Sequence, residues 1–153
     1  MQLTLHTDYS LRVLVYLTQK GGEQATISEI ADFYQISRNH LVKVVHHLAG
    51  KGFIHTTRGK HGGIRLARAP ELISVGDVVR QMEPNFDIVE CFNVNSPGCT
   101  VAPVCALKSV LYQANKEFLA VLDNYTLADA IRQGPEAEQV FPVEWLSRDA
   151  GAQ

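Results

Sequence analysis

The sequence predicts a mainly α-helical fold with one small β-hairpin: a winged helix-turn-helix domain, a cysteine-containing loop and a long amphipathic helix. Three observations point there. Apolar residues recur at helical spacing in short segments punctuated by capping residues and glycines. Two short strand-like runs directly follow the most basic of these helices, joined by a glycine-rich turn. Basic charge is also concentrated. From Phe33 to Pro70 there is no Asp or Glu, while seven of the 14 Lys and Arg and five of the six His fall there. From Glu71 onward, 12 acidic residues face five basic ones. Basic charge on one segment of an otherwise acidic chain is the electrostatic pattern of a polyanion-binding module, the plainer alternative being a solvated basic face.

The elements follow in order. Thr7 is placed to cap a first helix from Asp8 to Lys20, with Leu11, Leu14, Val15 and Leu17 at helical spacing and Gly21-Gly22 ending it. Thr26-Ile27-Ser28-Glu29 matches a capping box, in which hydroxyl and carboxylate satisfy orphan amides reciprocally. It opens a short second helix with Ile30, Ala31 and Phe33 inward. Gln35-Ile36 forms a tight turn, and Ser37 is placed to cap a third helix. There Leu41, Val44, Val45 and Leu48 make one apolar stripe, while Arg38, Asn39, His40, Lys43, His46 and His47 take the other positions. Two helices across a short turn, the second basic on its outer face, read as helix-turn-helix.

Phe53–Thr57 and Ile64–Ala67 read as strands, connected by Arg58-Gly59-Lys60-His61-Gly62-Gly63. A basic hairpin behind a reading helix is a wing. It is not a phosphate-binding loop, because the upstream glycine spacing is wrong and His61 stands where Ser or Thr is required. Ser74 with Asp77 starts a fourth helix carrying Val75, Val78, Val79 and Met82, which Pro84 stops. Asn85 to Cys105 has loop character. Beyond it, Leu107, Leu111, Ala114, Phe118, Val121 and Tyr125 form a heptad seam, which wants a partner, most economically a second copy of the chain.

Length and composition bound the rest. A chain of 153 residues with 46% hydrophobic and 20% charged residues fits one domain, or a small domain with an appendage, and is not disordered. No stretch reaches the roughly 20 apolar residues that span a bilayer, and the first residues lack a secretory pattern, so a cytoplasmic location without membrane is expected. The expected organisation is a DNA-binding domain over residues 1–83, the cysteine loop at 84–105, a dimerisation helix at 106–133 and a tail at 134–153, with Phe141 and Trp145 as anchors in the tail.

All three cysteines, Cys91, Cys99 and Cys105, lie in the loop. Three thiols cannot pair completely. Gathered among Gly and Pro they can fold around zinc or an iron–sulfur cluster, serve as a thiol redox sensor, or simply pack. A C-x-x-C pair is missing and no histidine is locally spaced to activate a thiol, which argues against a redox enzyme.

The run Thr7-Asp8-Tyr9-Ser10-Leu11-Arg12, then Ser37-Arg38-Asn39-His40-Leu41-Val42-Lys43, then Arg58-Gly59-Lys60-His61-Gly62-Gly63-Ile64-Arg65-Leu66, resembles the winged-helix iron–sulfur regulators, the family that includes NsrR and IscR. Ile73–Val79 and Leu122–Asp129 extend the match, which covers about residues 1 to 131. Within that family the chain looks most like the NsrR-like repressors that sense nitric oxide.

The resemblance implies a transcriptional regulator rather than an enzyme, holding a [2Fe–2S] or [4Fe–4S] cluster through Cys91, Cys99 and Cys105. IscR-like proteins take a histidine three residues after the last cysteine; Lys108 stands there, and a protonated lysine has no lone pair. Asp8 matches the residue that NsrR-like proteins can supply from the other subunit. A homodimer would set two third helices in successive major grooves of operator DNA, with Ser37, Arg38, Asn39, His40 and Lys43 at bases and nearby phosphates and Arg58, Lys60 and Arg65 holding the wing to the backbone. Nitrosylation or loss of the cluster would release the DNA. Regulation of iron–sulfur or redox homeostasis, or a thiol- or zinc-based sensor without a cluster, is the alternative.

Overall fold

The computed structural model describes residues 2–60, 62–93, 95–96, 98–131, 137, 140 and 141. Among these residues five α-helices and one hairpin follow in the order α1 (Leu5–Gln19), α2 (Ile27–Tyr34), α3 (Arg38–Gly50), β1 (Ile54–Thr57), β2 (Gly63–Leu66), α4 (Val75–Met82) and α5 (Ala106–Asp123). The mainly α fold with a single β-hairpin is the one the sequence predicts.

α1 starts three residues earlier than the periodicity suggests. Thr4, not Thr7, is its cap, with the Thr4 side chain accepting from the Thr7 backbone N–H. The reason is tertiary: the Glu83 carboxylate, far along the chain, accepts from the Thr4 N–H and from the hydroxyls of Thr4 and Thr7. At α2 the capping box forms as read, Thr26 and Glu29 each bonding the other's backbone amide. The turn into α3 puts Gln35 in the left-handed region at φ 54°. Its amide offsets part of that strain by donating to the Asp32 carbonyl at 2.7 Å. Ser37 occupies the cap position of α3, but its side chain makes no capping bond; only its carbonyl closes the first turn, accepting from His40 and Leu41.

The apolar stripe of α3 is buried in full, Leu41, Val44, Val45 and Leu48 packing with Val13, Leu14, Tyr16 and Leu17 of α1. Burial of such side chains is worth about 1.5–3 kcal/mol each, which makes the α1–α3 contact the core of the helix-turn-helix. Phe53, Ile54 and Ile64 bring the hairpin onto it. β1 and β2 pair antiparallel, with Ile54 opposite Leu66, Thr56 opposite Ile64 and His55 opposite Arg65; Ile54 and Ile64 are buried, and His55, Thr56 and Arg65 are exposed. Ile64 also exchanges backbone bonds of 2.9 and 2.8 Å with Ala25, just ahead of α2, so the wing is pinned to the helix-turn-helix. Two glycines are obligatory in the turn. Gly59 sits at φ 107°, and a Cβ on Gly62 would meet the Thr57 carbonyl at 2.2 Å.

Ser74 caps α4, accepting from the Asp77 N–H. α5 ends at Asp123, two residues short of the seam read from the sequence, so Tyr125 lies outside it. The chain then returns to the first domain: Val75 N–H donates to Tyr125 and Leu127 N–H to Ile73, both at 2.9 Å, and Leu127 is fully buried in the core. The seam of α5 is divided. Leu111 and Phe118 are half-buried, whereas Leu107, Ala114 and Val121 are exposed. In the tail, Phe141 stacks on Phe33 of α2 with ring centroids 5.6 Å apart; Trp145 lies outside the described residues. No helix among the described residues is long and apolar enough to cross a membrane.

Candidate functional site

Two neighbourhoods carry chemistry. The first is the outer face of α3 with the wing. Ser37, Arg38, Asn39, His40 and Lys43 are exposed together at the start of α3, and Arg58, Lys60 and Arg65 are exposed on the hairpin. Among the described residues none of these cations is in a salt bridge. That is the arrangement of groups kept for an external anion, since a lysine or arginine beside a carboxylate would already be neutralised. Sequence spacing left Val42 unassigned. It is 42% exposed on the same face, an apolar group among polar ones that can meet a thymine methyl. The signal for it was its place one residue after the stripe residue Leu41.

Sequence reasoning also missed a pair linking α1 to α3. His6 Nε2 and His47 Nδ1 are 2.9 Å apart. Burial, then the nearby charges of His6, Lys51 and His46, hold the His47 imidazole below its ordinary value. Nothing in local spacing connects residues 6 and 47.

The second neighbourhood is the loop between α4 and α5. Cys91 lies in a 3₁₀ turn, Glu90–Phe92, and Cys105 occupies the N-cap position of α5, beside the positive end of that helix's dipole. Cys99 is exposed between them, and all three are free thiols. Turns stabilise the loop: Asn85 and Asn93 accept from the backbone of Asp87 and Asn95, and Ser96 donates to Glu90 at 2.7 Å. Asn115 of α5 anchors it by donating to the Phe86 carbonyl at 2.9 Å, and Phe92 meets Tyr112 edge-on. Lys108, where an IscR-like histidine would be, is half-buried in the wall of a cavity of about 660 Å³ that Cys91 also lines.

Asp8 stands in the first turn of α1, its carboxylate bonded twice by Arg12, at 3.0 and 3.2 Å. Three free thiols on one loop suit a soft-metal or iron–sulfur centre in donor chemistry. Among the described residues, however, no three His, Cys, Asp or Glu side chains converge on one point.

The HTH-type transcriptional regulator NsrR of Bacillus subtilis is 51% identical over 145 residues, 94% of this chain and 99% of that protein. The regulator of the same name from Bacillus licheniformis is 52% identical over 132 residues, 86% of this chain and 92% of its own length. Among solved structures, T. potens IscR matches with a TM-score of 0.69 at 26% identity, covering 95% of this chain and 96% of that one. CymR, the global cysteine regulator of B. subtilis, matches with a TM-score of 0.68 at 25% identity, over 85% of this chain and 95% of that one. The model described as Rrf2, iron-dependent transcriptional regulator, matches residues 3–133. The chain belongs to the Rrf2 family of transcriptional regulators, and within it is a regulator of the NsrR type, not an enzyme.

Proposed function

We propose that this regulator is a DNA-binding repressor, acting as a homodimer, that senses nitric oxide through an iron–sulfur cluster of [2Fe–2S] or [4Fe–4S] type. The observation that carries the DNA reading is the unpaired, exposed basic face of α3 and the wing on an otherwise acidic chain. In this reading Ser37, Arg38, Asn39, His40 and Lys43 meet base edges and phosphates of the major groove. Arg58, Lys60 and Arg65 hold the wing against the backbone, and two copies read half-sites about one helical turn apart. The exposed apolar side of α5, with Leu107, Val110 and Val121, is the surface that a second copy covers.

Cys91, Cys99 and Cys105 are the residues that hold the cluster, with the partner's Asp8 as fourth ligand. When bound, the cluster supplies iron that reacts with nitric oxide. Asp8 is available for ligation at small cost, because its tie to Arg12 is an exposed pair worth about 0.2–1 kcal/mol. Its position matters more: α1 packs on α3, so whatever holds Asp8 bears on the reading helix.

Anaerobically purified protein is expected to be brown, to contain iron and acid-labile sulfide, and to release its operator duplex on titration with nitric oxide. Operator affinity unchanged by nitric oxide would overturn the coupling. A thiol-based sensor without a cluster is the second reading, favoured by the three free thiols, one of them exposed. Colourless, metal-free protein with full operator affinity, lost on oxidation of its thiols, would establish that reading instead.

A further inference from the structure

A cavity of about 310 Å³ lies apart from the cysteine loop, between the end of α1 with its Gly21-Gly22 turn, the chain leaving β2 and the segment that follows α5. Gln19, the last residue of α1, lines it and is only 6% exposed. Among the described residues its side-chain amide makes no hydrogen bond to the protein. Unlike Asn115 Oδ1, its polar atoms are not sealed from solvent, and the surface they keep opens on this cavity. Burying an amide without a partner is costly to the fold, which marks Gln19 as a group held for a ligand.

Three charged side chains share the wall: Arg65, Arg68 and Glu71. Opposite charges in one cavity draw together unless something holds them apart. Among the described residues none of the three is in a salt bridge. Local structure keeps the gap. The Arg68 guanidinium carbon sits 5.5 Å from the centroid of the Phe53 ring, a cation–π contact that fixes the group and leaves its N–H fork for another partner. Glu71 is held in the 3₁₀ turn Pro70–Leu72. We propose that this cavity binds an apolar α-amino acid as the free zwitterion. Arg68 takes the carboxylate through its two-point fork, Glu71 takes the ammonium, Gln19 completes the polar contacts, and the ligand side chain packs on Leu66 and Ile131. A simple anion would leave Glu71 facing a like charge, and a simple cation would leave two arginines doing so; a zwitterion satisfies both. The volume lies near the lower end for small-ligand sites, about 300 Å³, which suits a ligand of this size. Gln19, Arg68 and Glu71 have no part in holding a cluster or, in the reading above, in meeting DNA.

The test is isothermal titration calorimetry of L-leucine into the anaerobically purified full chain, with isocaproate (no ammonium), isoamylamine (no carboxylate) and inorganic phosphate as comparison ligands. L-leucine is expected to bind once per chain, and the acid and the amine each about tenfold or more weakly, the worth of one charge-assisted contact. Arg68→Gln and Glu71→Gln alter exposed side chains and should each weaken leucine by a similar factor. Gln19→Leu should weaken it too while leaving the thermal midpoint unchanged or raised, because the amide has no partner in the fold to lose. A merely structural glutamine would give the opposite, a lower midpoint with leucine affinity intact. No binding of leucine up to about 10 mM would overturn the proposal, as would full affinity in all three variants. Phosphate or isocaproate binding as tightly as leucine would reduce the cavity to a plain anion site and overturn it as well.

Discussion

Glu83 and Thr4, at the end of α4 and the start of α1, are joined by three bonds: both carboxylate oxygens lie 3.2 Å from the Thr4 nitrogen and one is 3.0 Å from its hydroxyl. The same carboxylate takes the hydroxyl of Thr7, which is fully buried. A helix begins with amides that have no partner inside it, and its dipole favours a negative group there. Glu83→Ala leaves those donors without an acceptor and is expected to cost about 1–3 kcal/mol in urea unfolding. Glu83→Gln, which keeps an acceptor without the charge, should fall between Ala and wild type. Equal stability of Ala and wild type would show that water replaces the carboxylate.

Acid stability should report Glu29. Burial pushes its carboxyl up, but hydrogen bonds from Lys20, Tyr16 and the Thr26 amide outweigh that and hold it below its ordinary 4.5. With a lowered folded-state value, its contribution is complete above pH 4.5 and drains away as pH falls through the folded-state value. Thermal melts from about pH 6 down to 3 should therefore show a steeper loss for wild type than for Glu29→Gln. Parallel curves would contradict this assignment.

Gly76 is buried where α4 meets the end of α5, and a Cβ there would stand 2.1 Å from Asp123 Oδ1 and 3.0 Å from Arg80 Nη1. Those are the two atoms of the Arg80–Asp123 ion pair that ties the helices together. Gly76→Ala should therefore break the tie at only a small cost in stability, because both atoms are ends of exposed side chains that can swing aside. Combining it with Asp123→Ala, which removes the clashing atoms, is expected to cost less than the sum of the two single changes, because the clash and the broken pair share atoms. Strict additivity of the two changes would place the damage elsewhere.

On DNA, Lys43→Ala and Arg58→Ala should separate readout from anchoring. If Arg58 is a phosphate contact, its loss weakens binding on every duplex alike and lowers the salt slope by about one. If Lys43 reaches a base, its loss costs about 1–3 kcal/mol on a duplex selected with the wild type from a random-sequence pool and little on random DNA. Gel shifts at several salt concentrations measure both, and undiminished affinity in both variants would remove α3 and the wing from the interface.

Most of the architecture was readable one segment at a time. The Thr26–Glu29 box, the α3 stripe and the glycine turn are local devices whose physics acts within a few residues, and the structure contains each of them. Readings failed where a distant residue intervened. Thr7 was a reasonable cap by spacing, yet Glu83 moves the start of α1 back to Leu5. Tyr125 continued the heptad, yet the backbone pairing of Tyr125 and Leu127 with Val75 and Ile73 pulls the chain off the helix. The site divides the same way. The basic face was legible because charge is a property of composition along the chain, whereas the His6–His47 bond depends on a helix crossing that spacing does not encode.

The amino-acid order alone determined the helix-turn-helix with its wing, the polarity of the α3 faces and the grouping of three thiols in one loop, since periodicity, capping and turn chemistry are short-range. Only the tertiary structure decided where α1 begins, which half of the α5 seam stays exposed, and that an imidazole pair joins α1 to α3. Those features depend on which atoms lie beside one another after the core has closed, and burial of the α1–α3 stripe sets that arrangement.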